Sequence, residues 1–271
     1  MSMSGKSVLI PIVVGFGLRS EFPRTERVRP RHMETVFLIG VSFVASTLTA
    51  TVGLGGGILL ISVMPGLIPA AAIVPVHGAV QLASNSSRVL MGVRHIDWRV
   101  VWPFVGGSIL GAAAGVGMVA RFSFEQLPLY LGLFVLVVTW IPIPSRVMAF
   151  RGQFAILGAI QTYVSLFMGA TGPLASPFLL RRGLSKDQLV VTLGTVMMAI
   201  HVLKLLVFAV AGFVFAPYLS LVAGMVTAVV LGSWVGTRLR GHLPERALRR
   251  TLKGLITVLA VRMIVGAVLA R

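Results

Sequence analysis

Long uncharged stretches fill most of the chain after Glu34, and they define the elements that the sequence predicts. No Asp, Glu, Lys or Arg occurs between Glu34 and Arg88. Runs of this kind are typical of helices that cross a membrane, each of which needs about 20 apolar residues. The pattern predicts about eight transmembrane helices, over residues 34–68, 72–93, 98–120, 125–141, 152–180, 187–212, 216–238 and 247–270.

Glycine-rich runs interrupt the first and the fifth of these spans. The first run is Gly53-Leu54-Gly55-Gly56-Gly57, and the second is Gly169-Ala170-Thr171-Gly172-Pro173. A glycine inside a helix costs about 1 kcal/mol relative to alanine. Backbone groups freed inside a membrane must face protein or a wet cavity. Each interrupted segment is either one broken crossing or a re-entrant pair of half-helices.

The two halves of the chain match at one common offset, which suggests an internal duplication. The offset that aligns Gly53 with Gly169 also makes these pairs: Gly56 with Gly172, Gly78 with Gly194, Asn85 with His201, and Arg88 with Lys204. Paired interrupted segments of this kind point to the binding site of a transporter. Four crossings in each half make the repeats parallel, whereas five crossings, with each broken segment a hairpin, make them inverted.

Three parts are predicted along the chain. A basic arm over residues 1–33 precedes a first membrane repeat over residues 34–145 and a second over residues 146–271. Met33 offers an alternative start immediately before the first span, so the arm receives no function.

Composition agrees with an all-α polytopic membrane protein. Of the 271 residues, 56% are hydrophobic and 11% are charged, which is far more apolar than a soluble domain. The absence of cysteine excludes disulfides and thiolate catalysis. All the carboxylates fall in predicted loops or at span ends, where no cation pathway through the membrane would use them.

The net charge of +17 is explained by basic loops on the cytoplasmic side of a membrane. With eight single crossings, the basic loops over residues 181–187 and 238–253 share a side with Arg121. Arg94 and Arg99 then lie on the opposite side. The first set is predicted to be cytoplasmic. Nucleic-acid binding is disfavoured, because the basic residues lie at span ends and not on a soluble module.

Arg88 and Lys204 are basic residues within apolar stretches and have no acidic neighbour at helical spacing. An unpaired cation in a span costs roughly 2.5–3.5 kcal/mol on insertion scales. Arg88 could extend its side chain to the membrane surface. The functional alternative for both residues is to attract an anion into a shared cavity.

Polar residues next to Arg88 share one face of a helix. Gln81, Ser84, Asn85 and Arg88 follow the spacing i, i+3, i+4, i+7, and their amides and hydroxyls could bind the oxygens of an anion. The alternative is that they bond neighbouring helices together. His201, which matches Asn85, could bind an anion, transfer a proton or bond a backbone carbonyl. His77 is interpreted as structural or interfacial.

The glycine breaks also offer helix N-termini, whose free N–H groups attract anions. Pro173 suits the first turn of such a helix, since it has no N–H to lose. The predicted substrate-binding residues are Gly53, Gly55, Gly56, Gly57, Gln81, Ser84, Asn85, Arg88, Thr171, Gly172, His201 and Lys204. No catalytic residue, metal or cofactor is predicted.

Helix packing and helix starts are marked by smaller patterns. Gly107, Gly111 and Gly115 form one stripe of small residues, and Gly224, Ala228, Gly232 and Gly236 form another; both predict close helix packing. Asp97 is predicted as an N-cap, and capping boxes are predicted at Ser123–Gln126 and Ser185–Gln188.

Several of these motifs together resemble the sulfite exporter TauE/SafE family over residues 34–268. The resemblance rests on the first glycine break followed by Met64-Pro65, on His95-Ile96-Asp97-Trp98-Arg99, and on the second break followed by Gly194-Thr195. It implies a permease of two repeats in a bacterial or archaeal inner membrane, moving sulfite, sulfonates or other organosulfur or organic anions. The second break departs from the family, in which a second triple glycine is common.

The sequence therefore predicts a secondary transporter of a small anion, working in the lipid bilayer and capable of forming a homodimer. The alternatives are a transporter or channel for a non-sulfur organic anion, a membrane-embedded enzyme, and an assembly subunit. The enzyme is disfavoured, because the spans hold no carboxylate pair and no Ser/His/Asp set. The assembly subunit is also disfavoured, because paired glycine breaks and paired basic residues have no evident use in a scaffold.

Overall fold

The computed structural model describes residues 32–53, 55–141, 150–240 and 242–269. Residues 1–31 of the predicted arm lie outside this part, as does the predicted boundary between the repeats at residues 145 and 146. The helices of the described part are, in chain order, α1 His32–Val52, α2 Gly56–Val63, α3 Ala70–Leu90, α4 Trp98–Val119, α5 Leu127–Trp140, α6 Gln153–Met168, α7 Gly172–Leu180, α8 Lys186–Val210, α9 Leu219–Leu239 and α10 Glu245–Leu269.

The prediction of an all-α membrane protein with several spans is confirmed. Within the described residues, α1, α4, α8, α9 and α10 are long and apolar enough to cross a membrane, by length and composition. The helices α5 and α6 are apolar but shorter. The helix α3 is as long as α1 but carries the polar face that begins at Gln81. The number of about eight spans stays a prediction.

The first predicted break lies between α1 and α2, and the chain reverses there. Gly53 and Gly55 have φ angles of 94° and 100°, which glycine adopts without steric cost. A Cβ on Gly56 would overlap the backbone oxygen of Ala45, about two turns before the end of α1. Since α2 begins beside an earlier turn of α1, the two helices form a re-entrant pair.

The second predicted break, between α6 and α7, reverses the chain in the same way. Gly169 has a φ of 67°. The Gln161 side chain on α6 donates from Nε2 to the Thr171 carbonyl at 2.8 Å, although Gln161 lies about two turns before the end of that helix. The break therefore returns the chain alongside α6, and the re-entrant alternative holds for both segments.

Close packing at small residues joins helices that are distant in the chain. Cβ atoms on Gly107 and Gly111 of α4 would overlap backbone atoms of α6. Cβ atoms on Gly232 and Gly236 of α9 would overlap backbone atoms of α1. The predicted packing stripes are confirmed. In each pair, α4 with α6 and α9 with α1, the contact positions increase along both helices, so the two helices run parallel.

At the centre, α3 and α8 cross in opposite directions. Gly78 in the first half of α3 lies against the Lys204 side chain in the second half of α8, and Val89 near the end of α3 lies against Gly194 in the first half of α8. Apolar clusters flank this crossing, one around α2, α5 and α10 and one around α4, α6 and α7. The two breaks and the middle of the α3–α8 crossing therefore lie together in the interior of the protein.

The basic loops gather at one end of the helices, which corrects the side assignment made above. The Arg182 guanidinium contacts Asp97 Oδ2 at 3.0 Å, so Arg94 and Arg99, which flank Asp97, share an end with the loop that holds Arg182. Arg121 lies beyond the far end of α4. The count of eight single crossings placed Arg94 and Arg99 on the wrong side. The chain reverses at each break, and this adds a change of direction that the count left out.

Basic side chains also hold the last turn of α1 at this end. Arg240 donates from Nε to the Ala50 carbonyl at 2.9 Å, and Arg249 donates from Nη2 to the Val52 carbonyl at 2.8 Å. Both oxygens belong to the last turn of α1, where carbonyls lack helical partners and the dipole favours cations.

The predicted helix starts are mostly confirmed. Asp97 accepts from the Arg99 N–H at 3.1 Å, and Ser185 and Gln188 form the predicted capping box. The box at Ser123–Gln126 is wrong. A short 3-10 turn over Phe124–Gln126 comes first, Ser123 makes no capping bond, and α5 begins only at Leu127.

Candidate functional site

A cavity of about 60 Å³ lies where the two breaks meet the crossing of α3 and α8. It is about the size of a few waters or one small oxyanion. Of the predicted site residues, the following line it: Gly53, Gly55, Gly57, Gln81, Asn85, Arg88, Thr171, Gly172 and His201. Gly56, Ser84 and Lys204 lie behind these residues and not on the cavity wall.

Two short helices begin at this cavity. The helix α2 starts after Gly55 and α7 starts after Thr171, and neither capping residue makes a side-chain bond to its helix. Pro173 takes the predicted position in the first turn of α7. The first-turn N–H groups of a helix have no partner within it, and the positive end of the dipole lies there. Both helix starts therefore favour negative charge in the cavity.

Arg88 brings a positive charge to the same space. Its side chain is only 4% exposed, so it does not extend to the membrane surface. The guanidinium donates from Nη1 to Ser84 Oγ at 2.7 Å and from Nη2 to Asn85 Oδ1 at 2.6 Å. Both acceptors are neutral, so these bonds orient the guanidinium without balancing its charge.

The polar face of α3 combines both of its predicted roles. Asn85 donates from Nδ2 to the Gln81 carbonyl at 2.7 Å, which fixes the amide beside Arg88. Ser84 lies 2.8 Å from the Ser46 hydroxyl of α1, which in turn lies 2.8 Å from the Ser233 hydroxyl of α9. Ser84 therefore bonds helices together and holds Arg88, whereas Gln81, Asn85 and Arg88 face the cavity.

Lys204 is placed differently from its match in the first half. Its side chain is fully buried, and Nζ donates to the Gly169 carbonyl at 2.7 Å. The aliphatic stem passes close over Gly78, where a Cβ would lie 3.1 Å from Lys204 Cδ. Lys204 thus stabilises the second reversed turn, and its charge acts on the cavity from behind the wall.

Two histidines face each other across the crossing. The rings of His77 on α3 and His201 on α8 have centroids 6.1 Å apart and meet edge to face. His77 Nε2 bonds the Gly57 carbonyl at 2.9 Å. In both residues the Nδ1 atom is buried and has no hydrogen-bond partner among the described residues.

The sequence interpretation missed His77 as a cavity residue and Gln161 as a support of the second break. His77 lies one turn before Gln81 and continues the face that runs through Asn85, so helical spacing could have found it. Gln161 is fully buried and bonds the second break at Thr171. No local pattern marks Gln161, because its partner is reached only after the chain reverses.

Acidic and metal-binding groups are absent from the cavity as far as the described residues show. The lining includes no Asp or Glu. Within the same part of the chain, no cluster of His, Cys, Asp or Glu could hold a metal ion. The charged residue that lines the cavity is Arg88.

Comparison with known proteins gave one family. The family model described as sulfite exporter TauE/SafE matches residues 38–263, which is most of the chain. Neither the search of curated proteins nor the search of solved structures found a significant match.

Proposed function

The chain belongs to the sulfite exporter TauE/SafE family of membrane transporters, and on that premise we propose that its central cavity binds and moves a small sulfur-containing anion. Sulfite, an organosulfonate or a related oxyanion is the proposed substrate. The observation that carries the proposal is the meeting of two helix starts with Arg88 in a cavity whose described lining has no carboxylate.

The chemistry of the lining supports an anion over a cation or a neutral solute. Free N–H groups and a guanidinium are all donors, and each donor group favours an acceptor with negative charge. The Asn85 and Gln81 side chains add polar contacts on the α3 side. A cation would meet Arg88 and two positive helix ends with nothing to offset them.

We also propose that the two halves are an inverted repeat, with residues 34–145 and 146–271 as its units. Each half has the same order of elements: a helix, a reversed break, a half-helix and three more helices. The matched helices α3 and α8 run antiparallel, which inversion requires. Movement of one half against the other would then open the cavity to each side in turn.

The orientation follows from the charge at the two ends. The end that holds Arg94, Arg182 and Arg240 is the basic one, and basic loops favour the cytoplasmic side. With the basic end on the cytoplasmic side of the proposed inner membrane, the start of α1 lies outside. A homodimer stays a prediction.

Thermal unfolding of the purified chain tests the proposal. We would compare sulfite, sulfate, thiosulfate, sulfoacetate, acetate and chloride at constant ionic strength. Saturating binding stabilises a protein by about 2.7 kcal/mol at a concentration about 100 times Kd. We expect saturable stabilisation by at least one sulfur oxyanion, shifted to higher concentration in Arg88→Gln and unchanged in Arg121→Gln at the far end of α4.

A second variant tests the cavity independently, in case Arg88→Gln does not fold. A Cβ at Gly57 would lie 3.4 Å from Gln81, which the helix tolerates, so Gly57→Ala narrows the cavity and leaves the fold intact. It should weaken binding, whereas Gly40→Ala, in open space on α1, should not. Stabilisation by acetate alone would favour an organic anion without sulfur, and no response to any anion would overturn the proposal.

A further inference from the structure

The pair His77 and His201 is not explained by anion binding alone. Both side chains are at least nine-tenths buried and line the cavity. A buried polar atom almost always has a hydrogen-bond partner. Here each residue leaves Nδ1 without one among the described residues, so each ring has one nitrogen atom with an open bonding position.

The bond to Gly57 identifies which nitrogen of His77 is open. A carbonyl oxygen only accepts, so Nε2 must carry the hydrogen and donate to it at 2.9 Å. A neutral imidazole has one N–H, and therefore Nδ1 of His77 holds a lone pair. A Cβ at Gly169 would lie 3.6 Å from this Nδ1, so the lone pair lies beside the second reversed turn.

The charged groups around the pair are positive. Lys204 lies one turn beyond His201 on α8, and its stem passes Gly78, the neighbour of His77. Arg88 faces His201 from the α3 side, and Arg240, which follows α9 and pairs with Asp187 at 2.6 Å, lies beyond Arg88. From α2 and the second break the pair meets backbone groups and no acid among the described residues.

This arrangement ties protonation to the anion. A proton on either imidazole adds positive charge to a space that already contains Arg88 and Lys204, so the empty cavity opposes it. A bound anion offsets that charge. By linkage, an anion that favours the proton is itself bound more tightly when the proton is present.

We propose that His77 and His201 form a proton-binding site, and that the proton and the anion bind together and cross in the same direction. The inference rests on the proposed function. One Nδ1 lone pair takes a proton from water on one side and returns it to water on the other, with no other bond made or broken. No acidic side chain in the described cavity lining could serve instead.

The test uses the full chain in liposomes that contain a pH-sensitive dye, with the voltage clamped by potassium and valinomycin. Thiosulfate is the probe, because it stays fully ionised near neutral pH and cannot carry protons through the lipid. Labelled thiosulfate and internal pH are recorded in the same vesicles. We expect thiosulfate entry to acidify the lumen in proportion to its flux.

Variants locate the proton site. His201→Asn copies Asn85, the residue at the matched position of the first half, and His77→Asn removes the other lone pair. We expect the ratio of protons to thiosulfate to fall in each variant and to reach background in the double variant. His95→Asn, in the exposed turn over Val93–His95, should keep the wild-type ratio.

Binding to the wild-type chain gives a second measurement that does not depend on the variants folding. Linked sites commonly change each other's affinity by a factor of about 5 to 150. Because the empty cavity opposes the proton, thiosulfate affinity should rise by such a factor only as the pH falls below about 6.5, where an ordinary histidine takes up its proton. An affinity independent of pH would overturn the inference.

The outcomes separate this inference from the proposed function. Thiosulfate flux without proton movement, or an unchanged ratio in the double variant, sinks the proton site and leaves the anion transporter standing. If the wild-type chain neither binds nor moves sulfite, thiosulfate, sulfate or sulfoacetate, the proposed function fails and the proton site fails with it.

Discussion

The two reversed turns occupy matched places in the chain but are stabilised in different ways. The first turn relies on glycine: Gly53 and Gly55 both adopt positive φ, and Gly56 lies directly against the Ala45 backbone. The second turn has positive φ only at Gly169. Side chains secure it, through Lys204 on the Gly169 carbonyl and Gln161 on the Thr171 carbonyl.

The matched cations differ in the same sense. Arg88 bonds two side chains of its own helix and lines the cavity, whereas Lys204 bonds the backbone of a turn and lies behind the wall. Matched positions have therefore taken separate tasks, one presenting charge to the cavity and the other fixing a break. Substitutions at these matched positions would test that division of tasks.

Alanine at the two matched glycines that begin α2 and α7 should have very different costs. In Gly56→Ala the new Cβ overlaps a backbone atom of α1, which cannot move like a flexible side chain. We expect a loss of about 3 kcal/mol, at the upper end for overpacking. In Gly172→Ala the nearest atom is Met197 Sδ at 3.9 Å, an ordinary contact.

Thermal unfolding in detergent, with size-exclusion chromatography to detect misfolded chain, measures both variants. Gly172→Ala should lie within about 0.5 kcal/mol of the wild type, as for a substitution without a clash. Equal losses at the two positions would contradict the claim that only the first turn depends on direct backbone packing.

Glutamine at the two matched cations should separate binding from support. Arg88→Gln removes a charged donor from the cavity, and a hydrogen bond to a charged group contributes about 1.5–3 kcal/mol. We expect anion affinity to fall by a factor of about 10 to 100. Lys204→Gln removes a charge that bonds Gly169 instead, so its affinity should fall by less than about tenfold.

The measurement is anion titration of each variant at constant ionic strength, read by thermal stabilisation. A larger loss of affinity in Lys204→Gln than in Arg88→Gln would show that the ammonium leaves Gly169 to contact the anion. That result would reverse the division of tasks between the two halves.

The position of both breaks could be predicted from the sequence, because glycine lowers the stability of a helix whatever its tertiary contacts are. The sequence did not predict the direction of the chain after them. The reversal depends on the contact of Gly56 with Ala45 and on the hydrogen bond between Gln161 and Thr171. No regular spacing in the sequence marks the residues that make these contacts. The side assignment of Arg94 and Arg99 failed for that reason.

The candidate site was predictable to the extent that it follows one helix. The face of α3 from Gln81 to Arg88 could be read at helical spacing, and His77 belongs to the same face. The role of Lys204 could not be read in this way, because its partner Gly169 lies on another element. Charge in an apolar run signals an important residue without showing what it contacts.

The smallest predicted effect concerns Gln161, the amide that assists Lys204 at the second turn. In Gln161→Leu the Thr171 carbonyl loses its donor, which costs about 1–3 kcal/mol when the oxygen stays buried. The same change removes the buried Oε1, which has no partner among the described residues, and this gain offsets part of the cost. We expect a net loss near 1 kcal/mol by thermal unfolding, against no change in Ile160→Leu on the exposed face of α6. Because the first turn has Ala45 at the matched position and no such amide, a loss of 3 kcal/mol or more would mean that this one bond holds the second turn, and Lys204 would then be secondary there.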